Sequence, residues 1–373
     1  MRSIRLFGED IYIGMTLAIF AAGILGGLIA TAIGAPLPML LGSLTLVGAL
    51  ALFGFAPGGQ PPKVPIWLRL LFIPIIGLSI GATFTPEVFS EMRKWWPSLL
   101  ALTLYIPLTH YFGYIGYRRV GKISGSTAYY AAVPGGLLEC IAMGEEAGAD
   151  VSMLMALQFL RLILTIMLVP LAFSVVSGNP VGSAGGMQIA SAAAPFTGSE
   201  ATLQAVTAAL GALIGKRLKF PAYIITGPIL FSGIGHLTGL LESTPPRWLI
   251  GTTQLIIGVS LGTRFVGMQI RAFFKALWLA LINIVATMVI AMAMGLLLHQ
   301  LVGERVEAVV LAFAPGGLAE MSLVALSLHI SVVYVTAHHV LRIILSVSVA
   351  KMFAHRVPPD NLAQREEAKP PAP

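Results

Sequence analysis

Stretches of about twenty apolar residues, enough to cross a hydrocarbon core as a helix, recur along the chain at 11–32, 36–55, 96–117, 151–176, 277–298 and 331–353. Two more, 67–84 and 248–263, are shorter or more polar. In lipid every backbone N–H and C=O must find a partner inside the protein, so such stretches must be helices. Composition agrees: of 373 residues, 57% are hydrophobic and 10% charged, against about 25% charged in a soluble domain. The sequence predicts an all-α, polytopic transmembrane bundle. The first stretch is too long for the apolar core of a signal peptide and reads as the first transmembrane helix. The polar, proline-rich end, 355–373, reads as a disordered cytoplasmic tail.

The second constraint is an internal duplication. A shift of 181 residues carries "PGGLLE" at 134–139 onto "PGGLAE" at 315–320. It also carries "WLRLLFIPIIGLSIGATF" (67–84) onto "WLIGTTQLIIGVSLGTRF" (248–265), and "QFLRLIL" (158–164) onto "HVLRIIL" (339–345). Nearer the start the shift is 185, pairing Pro36 with Pro221 and Gly42 with Gly227. The copies define repeats at 1–180 and 200–354, joined by a linker at 181–199.

Charge decides between parallel and inverted copies, because basic residues collect on the cytoplasmic side. If the segment that begins at each PGG is re-entrant, each half crosses five times and the second is upside down. With a cytoplasmic N-terminus, seventeen basic residues then fall inside and four outside (Arg93, Lys94, Arg247 and Arg305), with Arg161 and Arg342 inside apolar runs. With twelve full crossings the division falls to thirteen against eight. The expectation is two inverted repeats of about five crossings each plus a re-entrant or broken PGG segment, with both termini cytoplasmic in the bacterial inner membrane.

Pro134 and Pro315 each remove an amide, and Gly135, Gly136, Gly316 and Gly317 permit backbone angles closed to other residues. A helix restarting after each break aims free N–H groups and a positive end at the interior. Broken helices at corresponding positions of two repeats are how secondary transporters bind substrate near the midplane. A proline kink with close glycine packing is the plainer reading of one break, and the matched pair favours a site. Glu139 and Glu320 follow the breaks, and an intramembrane carboxylate is costly without a partner. Arg161 and Arg342, each 22 residues later, are the expected partners, either as a structural pin or in a site. An adjacent arginine opposes protonation of a carboxylate, which favours anion binding or pinning over a proton relay. Gln158 and Arg161 share a helix face, as do His339 and Arg342.

Other features carry less. His338 and His339 point about 100° apart on a helix and make a poor chelate, so no metal or other cofactor is expected. Glu145, Glu146 and Asp150 read as a solvated loop, Asn283 as interhelical packing glue, and "GILGG" and "GLSIG" as close helix packing. "GALIGKR" lacks the spacing of a phosphate-binding loop, and no catalytic set of nucleophile and base is present, so no enzyme is expected. The net charge of +7 is explained by loop clusters rather than by nucleic acid, for which no basic region exists. The single Cys140 excludes an intrachain disulfide.

The paired PGG motifs, the trailing "LR" and the echoed "GLSIGATF" and "GVSLGTRF" together resemble the AbrB family of duplicated bacterial membrane proteins, over about 11–353. Cys140 stands where the second copy has Met321. The resemblance implies labels of regulator of gene expression and, in older naming, ammonia monooxygenase. The residues support neither directly: a monooxygenase needs a metal or organic cofactor, and an effect on transcription would be indirect. The small soluble DNA-binding protein of the same name is not what this chain resembles. The expected function is secondary transport of a small solute, anions included, at a site between the repeats. The alternative is an AbrB-like membrane sensor or regulator. The expected partners are the lipid bilayer and a small-molecule or ion substrate, and a homo-oligomer is compatible with the sequence.

Overall fold

The computed structural model describes residues 3–6, 9–56, 59, 62–178 and 196–357. Most of the linker (181–195) and the tail from 358 onward, expected above to be disordered, lie outside the described residues. Among the described residues the regular structure is helical apart from an N-terminal antiparallel ribbon of β1 (Ser3–Leu6) and β2 (Glu9–Tyr12). This ribbon is a small departure from the all-helical expectation. Its register sets Ser3 opposite Tyr12 and Leu6 opposite Glu9. The Glu9 carboxylate accepts from the Ile66 amide at 3.2 Å, tying the ribbon to the next helical layer.

The first half contains α1 (Ile13–Ala32), α2 (Pro38–Leu52), α3 (Ile66–Gly81), the short α4 (Pro86–Met92) and α5 (Trp96–Ile115), which runs on as a π-helical turn to Val120. Then come α6 (Gly125–Ala132), α7 (Leu137–Glu146) and α8 (Val151–Ser177). The second half repeats the order without the α4 step: α9 (Gly198–Arg217), α10 (Tyr223–Leu237), α11 (Arg247–Gly262), α12 (Ile270–Val302), α13 (Val306–Phe313), α14 (Leu318–Ser327) and α15 (Val332–Phe353). Prolines open α2, α4 and α5, where a missing amide is harmless. Asp150 caps α8 by accepting from the Met153 amide at 3.0 Å. One member of the acidic group read as a solvated loop is therefore a helix cap.

Among the described residues five helices are long and apolar enough to cross a membrane: α1, α5, α8, α12 and α15. At 1.5 Å per residue, α2, α3, α10 and α11, with 15 or 16 residues each, extend about 24 Å, less than the ~30 Å hydrocarbon core. The 33 residues of α12 reach about 50 Å and overrun it. Outward faces of α1 and α12 expose Leu17, Leu25, Trp278, Val289 and Leu297, the apolar exposure that a lipid-facing helix requires.

The halves are intertwined. Within them α1 packs on α2 and α9 on α10; between them α2 packs on α11 and α10 on α3, while α5 and α12 cross centrally. The last helix of each half leans on the long central helix of the other, α8 on α12 and α15 on α5. Each contact has its counterpart under the repeat, so the halves obey a common two-fold pattern. Glycines set one pair of crossings. A methyl on Gly42 would overlap the Gly26 carbonyl, and one on Gly227 would overlap the Gly211 carbonyl. These are the same two positions under the 185-residue shift, and they bear out the close packing read from "GILGG".

Candidate functional site

Each half carries one interrupted segment: eight residues of helix, a break, and ten residues of helix, α6 and α7 in one, α13 and α14 in the other. The prolines place the breaks. A residue before proline is driven out of the helical region, and Val133 (ψ 124°) and Ala314 (ψ 139°) are extended. Gly136 then takes φ 70° before α7 restarts, whereas Gly317 keeps φ −76° before α14.

The chain returns after each break. Thr127, at the opening of α6, accepts from the Asp150 amide, which opens α8, at 2.9 Å. In the second half Glu304, just ahead of α13, hydrogen-bonds Ser331, the cap of α15. Entry to and exit from each segment thus lie side by side, and the broken segments are hairpins.

Arg161 and Arg342 are buried, 5% and 3% exposed, and their partners differ from those the sequence suggested. Arg161 donates to the Val133 carbonyl at 2.7 Å and the Ala131 carbonyl at 3.3 Å, and to Gln158 Oε1. Arg342 donates to the carbonyls of Ala314 and Gly316. Gln158 Nε2 donates to the Tyr130 carbonyl at 2.7 Å, and His339 Nε2 lies 3.0 Å from its counterpart, the Leu311 carbonyl. Each last helix therefore grips the frayed C-terminal end of the hairpin's first helix, where unpaired carbonyls and the negative end of the dipole favour a cation. No Glu139–Arg161 or Glu320–Arg342 ion pair forms; Arg305–Glu307 is the salt bridge found among the described residues. The Nε atoms of both buried arginines have no hydrogen-bond partner.

The glutamates answer to the opposite helix ends. Each is the third residue of the restarted helix, the position from which a carboxylate reaches back to free amides and the positive dipole end. Neither helix has a side-chain cap at the residue before it. Glu320 folds back onto Gly317, against whose α-carbon its Oε2 lies so closely that a methyl there has no room. Glu139 lies more loosely over Gly136. The environments differ: Glu320 is buried at 8% exposure and Glu139 is exposed.

The hairpins trade places across the halves. Gly135 and Gly136 rest on Ser346 and Val347 of α15, one turn beyond the arginine that holds the other break. Tyr129 of α6 donates to the Ala350 carbonyl of α15 at 2.8 Å, and α14 reaches α8. Gly135 and Gly136 are thus brought to the seam between the halves, whereas Gly316 and Gly317 lie against Met321 and Glu320 of their own hairpin. Sequence reasoning missed Tyr129 and Tyr105. Tyr105 lies on the central α5, within electrostatic reach of both arginines, and meets Phe313 edge-on at 5.0 Å. It missed Ser98 as well, 2.8 Å from His338 Nε2. None of these residues repeats between the copies, so the duplication gave no signal. Asn283 of α12 is buried and packs across to Gly113 of α5, with its Nδ2 making no hydrogen bond.

Intertwined helical halves, lipid-facing apolar surfaces and paired interior hairpins define a polytopic membrane protein with a symmetric, charged centre. Residues 55–357 match the family described as "Transition state regulatory protein AbrB". The chain belongs to the AbrB family. It is 27% identical over 353 residues to "Uncharacterized protein YhjN" of Bacillus subtilis (strain 168), covering 90% of this chain and 91% of that one. It is 23% identical over 310 residues to "Putative regulator AbrB" of Escherichia coli (strain K12), covering 83% and 86% respectively.

Proposed function

We propose that the protein is a secondary transporter of a small solute, with inverted halves and a site at the seam between the two breaks. In this reading it lies in the inner membrane with both termini cytoplasmic, and it needs neither catalytic step nor cofactor. The observation that carries the reading is the pair of hairpins, each broken in the interior and each seated on the last helix of the other half. Irregular backbone at membrane depth persists only where protein or a watery cavity satisfies it, and carriers use such paired breaks to hold their cargo. Returning hairpins leave an odd number of crossings per half, which turns the second half over. The unequal exposure of Glu139 and Glu320 fits a carrier caught with one of two related positions open.

Flux into proteoliposomes tests this. A gradient-driven uptake is expected that Glu320→Gln and Glu139→Gln each reduce by about tenfold or more, a loss of ~1.4 kcal/mol in effective barrier terms. Wild-type protein that moves no solute while restoring a deletion strain's gene-expression response would remove the carrier reading. That result would favour an alternative suggested by the name of the Escherichia coli relative, a membrane sensor acting on expression indirectly.

A further inference from the structure

The second half carries an apolar groove of about 460 Å³. One wall is Phe220 and Pro221, in the turn from α9 to α10, with Leu230 of α10; the other is Val340, Leu341 and Ile344 of α15. Leu230 and Ile344 are exposed, so the groove opens on the surface that faces lipid. Phe84 and Val333 line its far end, where the Phe84 ring also lies against Gly233 near the close of α10. The two helices therefore run antiparallel along the groove, from a Phe220 end to a Phe84 end. Thr226 and Thr336 reach the lining as well, and both hydroxyls are engaged. Thr226 donates to the Pro221 carbonyl at 2.9 Å, and Thr336 Oγ1 lies 3.0 Å from Ser322 Oγ of α14. An occupant meets hydrocarbon alone.

The groove follows from two exchanges of large residues for small. In the first half Arg264 stacks over the Phe159 ring, 5.1 Å from its centroid. The 181-residue shift puts Thr83 and Val340 in their stead. A gap left by lost bulk forfeits dispersion contacts unless something fills it. At the Phe220 end the sequence gains charge instead. Lys216 and Arg217 lie in the last turn of α9, and Lys219 directly precedes Phe220; all three are exposed. Among the described residues their side chains have no hydrogen bond or ion pair. Lys351, two turns beyond Ile344 on α15, is exposed toward the same end. Under the 185-residue shift the first half has Thr31, Ala32 and Gly34 where the second has Lys216, Arg217 and Lys219.

We infer that the groove holds an acyl chain of an anionic phospholipid, with its headgroup at the basic Phe220 end and the chain laid between α10 and α15. A juxtamembrane basic cluster attracts an anionic headgroup, and the apolar walls accept a chain and offer a polar solute nothing. Repeat architecture explains neither feature: in the other half Phe159 and Arg264 fill the corresponding positions, and the three basic positions are uncharged. The chain backs the helix that fastens both hairpins, through Arg342 for the second and through Ser346 and Val347 for the first. The inference needs the membrane fold and not the carrier reading.

The test uses the full chain, reconstituted in vesicles of equal parts phosphatidylglycerol and phosphatidylcholine, extracted into detergent and washed. Lipid that stays bound is counted by mass spectrometry. Phosphatidylglycerol should remain in preference to phosphatidylcholine, at about one molecule per chain. Val340→Phe, which restores the bulk of the first copy, should lower that retention about fivefold or more, and so should the triple variant Lys216→Gln, Arg217→Gln, Lys219→Gln. Val340→Ala, which leaves the groove open, and the double variant Arg271→Gln, Lys275→Gln should both keep the lipid. Elution profiles and melting temperatures show that the variants fold. No retained phosphatidylglycerol, equal retention in wild type and both test variants, or equal retention of the two lipids overturns the inference. So does a lipid-free wild-type dimer that Val340→Phe dissociates, which would give the groove to a second copy of the chain. Wild type that retains the lipid but moves no solute in the same vesicles ends the carrier reading and leaves the lipid site standing.

Discussion

Arg161 and Arg342 each close a hole that proline opens. Carbonyls at each break lose their helical donors, and a guanidinium takes two of them at once, Ala131 and Val133 ahead of Pro134, and Ala314 and Gly316 on either side of Pro315. Hydrogen bonds to a charged donor are worth about 1.5–3 kcal/mol each, and an unpaired buried carbonyl adds a desolvation penalty. Arg342→Gln should therefore destabilise the protein by about 3 kcal/mol or more, read as a lowered melting temperature in detergent. Arg342→Lys should recover less than half, because one ammonium cannot copy the fork; full recovery by lysine would show that charge alone is what the helix end needs. At this scale the sequence picked out the charged residues flanking the breaks, and the Glu–Arg pairing it suggested does not form. A constant spacing of 22 residues between Glu and Arg points to an ion pair if charges are considered alone. The breaks create two helix ends of opposite polarity between them, and each charge answers to the nearer end. Gln158 and His339 were legible as companions of the arginines because they share a helix face, and they bind carbonyls one turn earlier.

At the scale of elements, the hairpins were legible and their fastening was not. Pro-Gly-Gly marks the break in any helix, but the proof of return lies in contacts between residues far apart in sequence, such as Thr127 with Asp150. The base of the second hairpin is held by Glu304, which bonds Ser331, lies beside Trp95 and faces Glu91, with Lys94 passing beside Gly303. Burial and the Glu91 charge push the Glu304 carboxyl up to about 7. Its unfolded counterpart titrates near 4.5, so between these values the folded protein holds a proton that the unfolded chain has released. Stability must then fall as pH rises from about 5 through 7. The melting temperature in detergent should decline over that window, and Glu304→Gln should flatten the decline. A wild-type curve rising from pH 5 to 8 would contradict the assignment. The lengths of α2, α3, α10 and α11 were less legible: their apolar runs extend beyond the helices, because turns such as the one at Gly34–Ala35 are themselves apolar.

The whole molecule is where the duplication is most informative. Repeat spacing alone gave corresponding helices, and the contacts between halves follow the same correspondence. Spacing could not say that the halves exchange partners, since a side-by-side pair gives the same sequence signature. Orientation in the membrane is a separate matter with a direct test. In a Cys140→Ser background, single cysteines at Arg93 and Arg247 should react with an impermeant maleimide added outside whole cells. One at Lys216 should react only after the membrane is opened. Labelling of Lys216→Cys from outside together with protection of Arg247→Cys would make the halves parallel.

The seating of the first hairpin on α15 also sets a timetable. Gly135 and Gly136 rest on Ser346 and Val347, which leave the ribosome roughly two hundred residues later; at ~5–20 residues per second that is on the order of ten to forty seconds. Through that interval the first hairpin, with its proline-broken backbone, already lies in or beside lipid and has no second half to cover it. The nascent protein therefore has to be sheltered, by lipid headgroups, water or the insertion machinery, until its own C-terminal helix arrives.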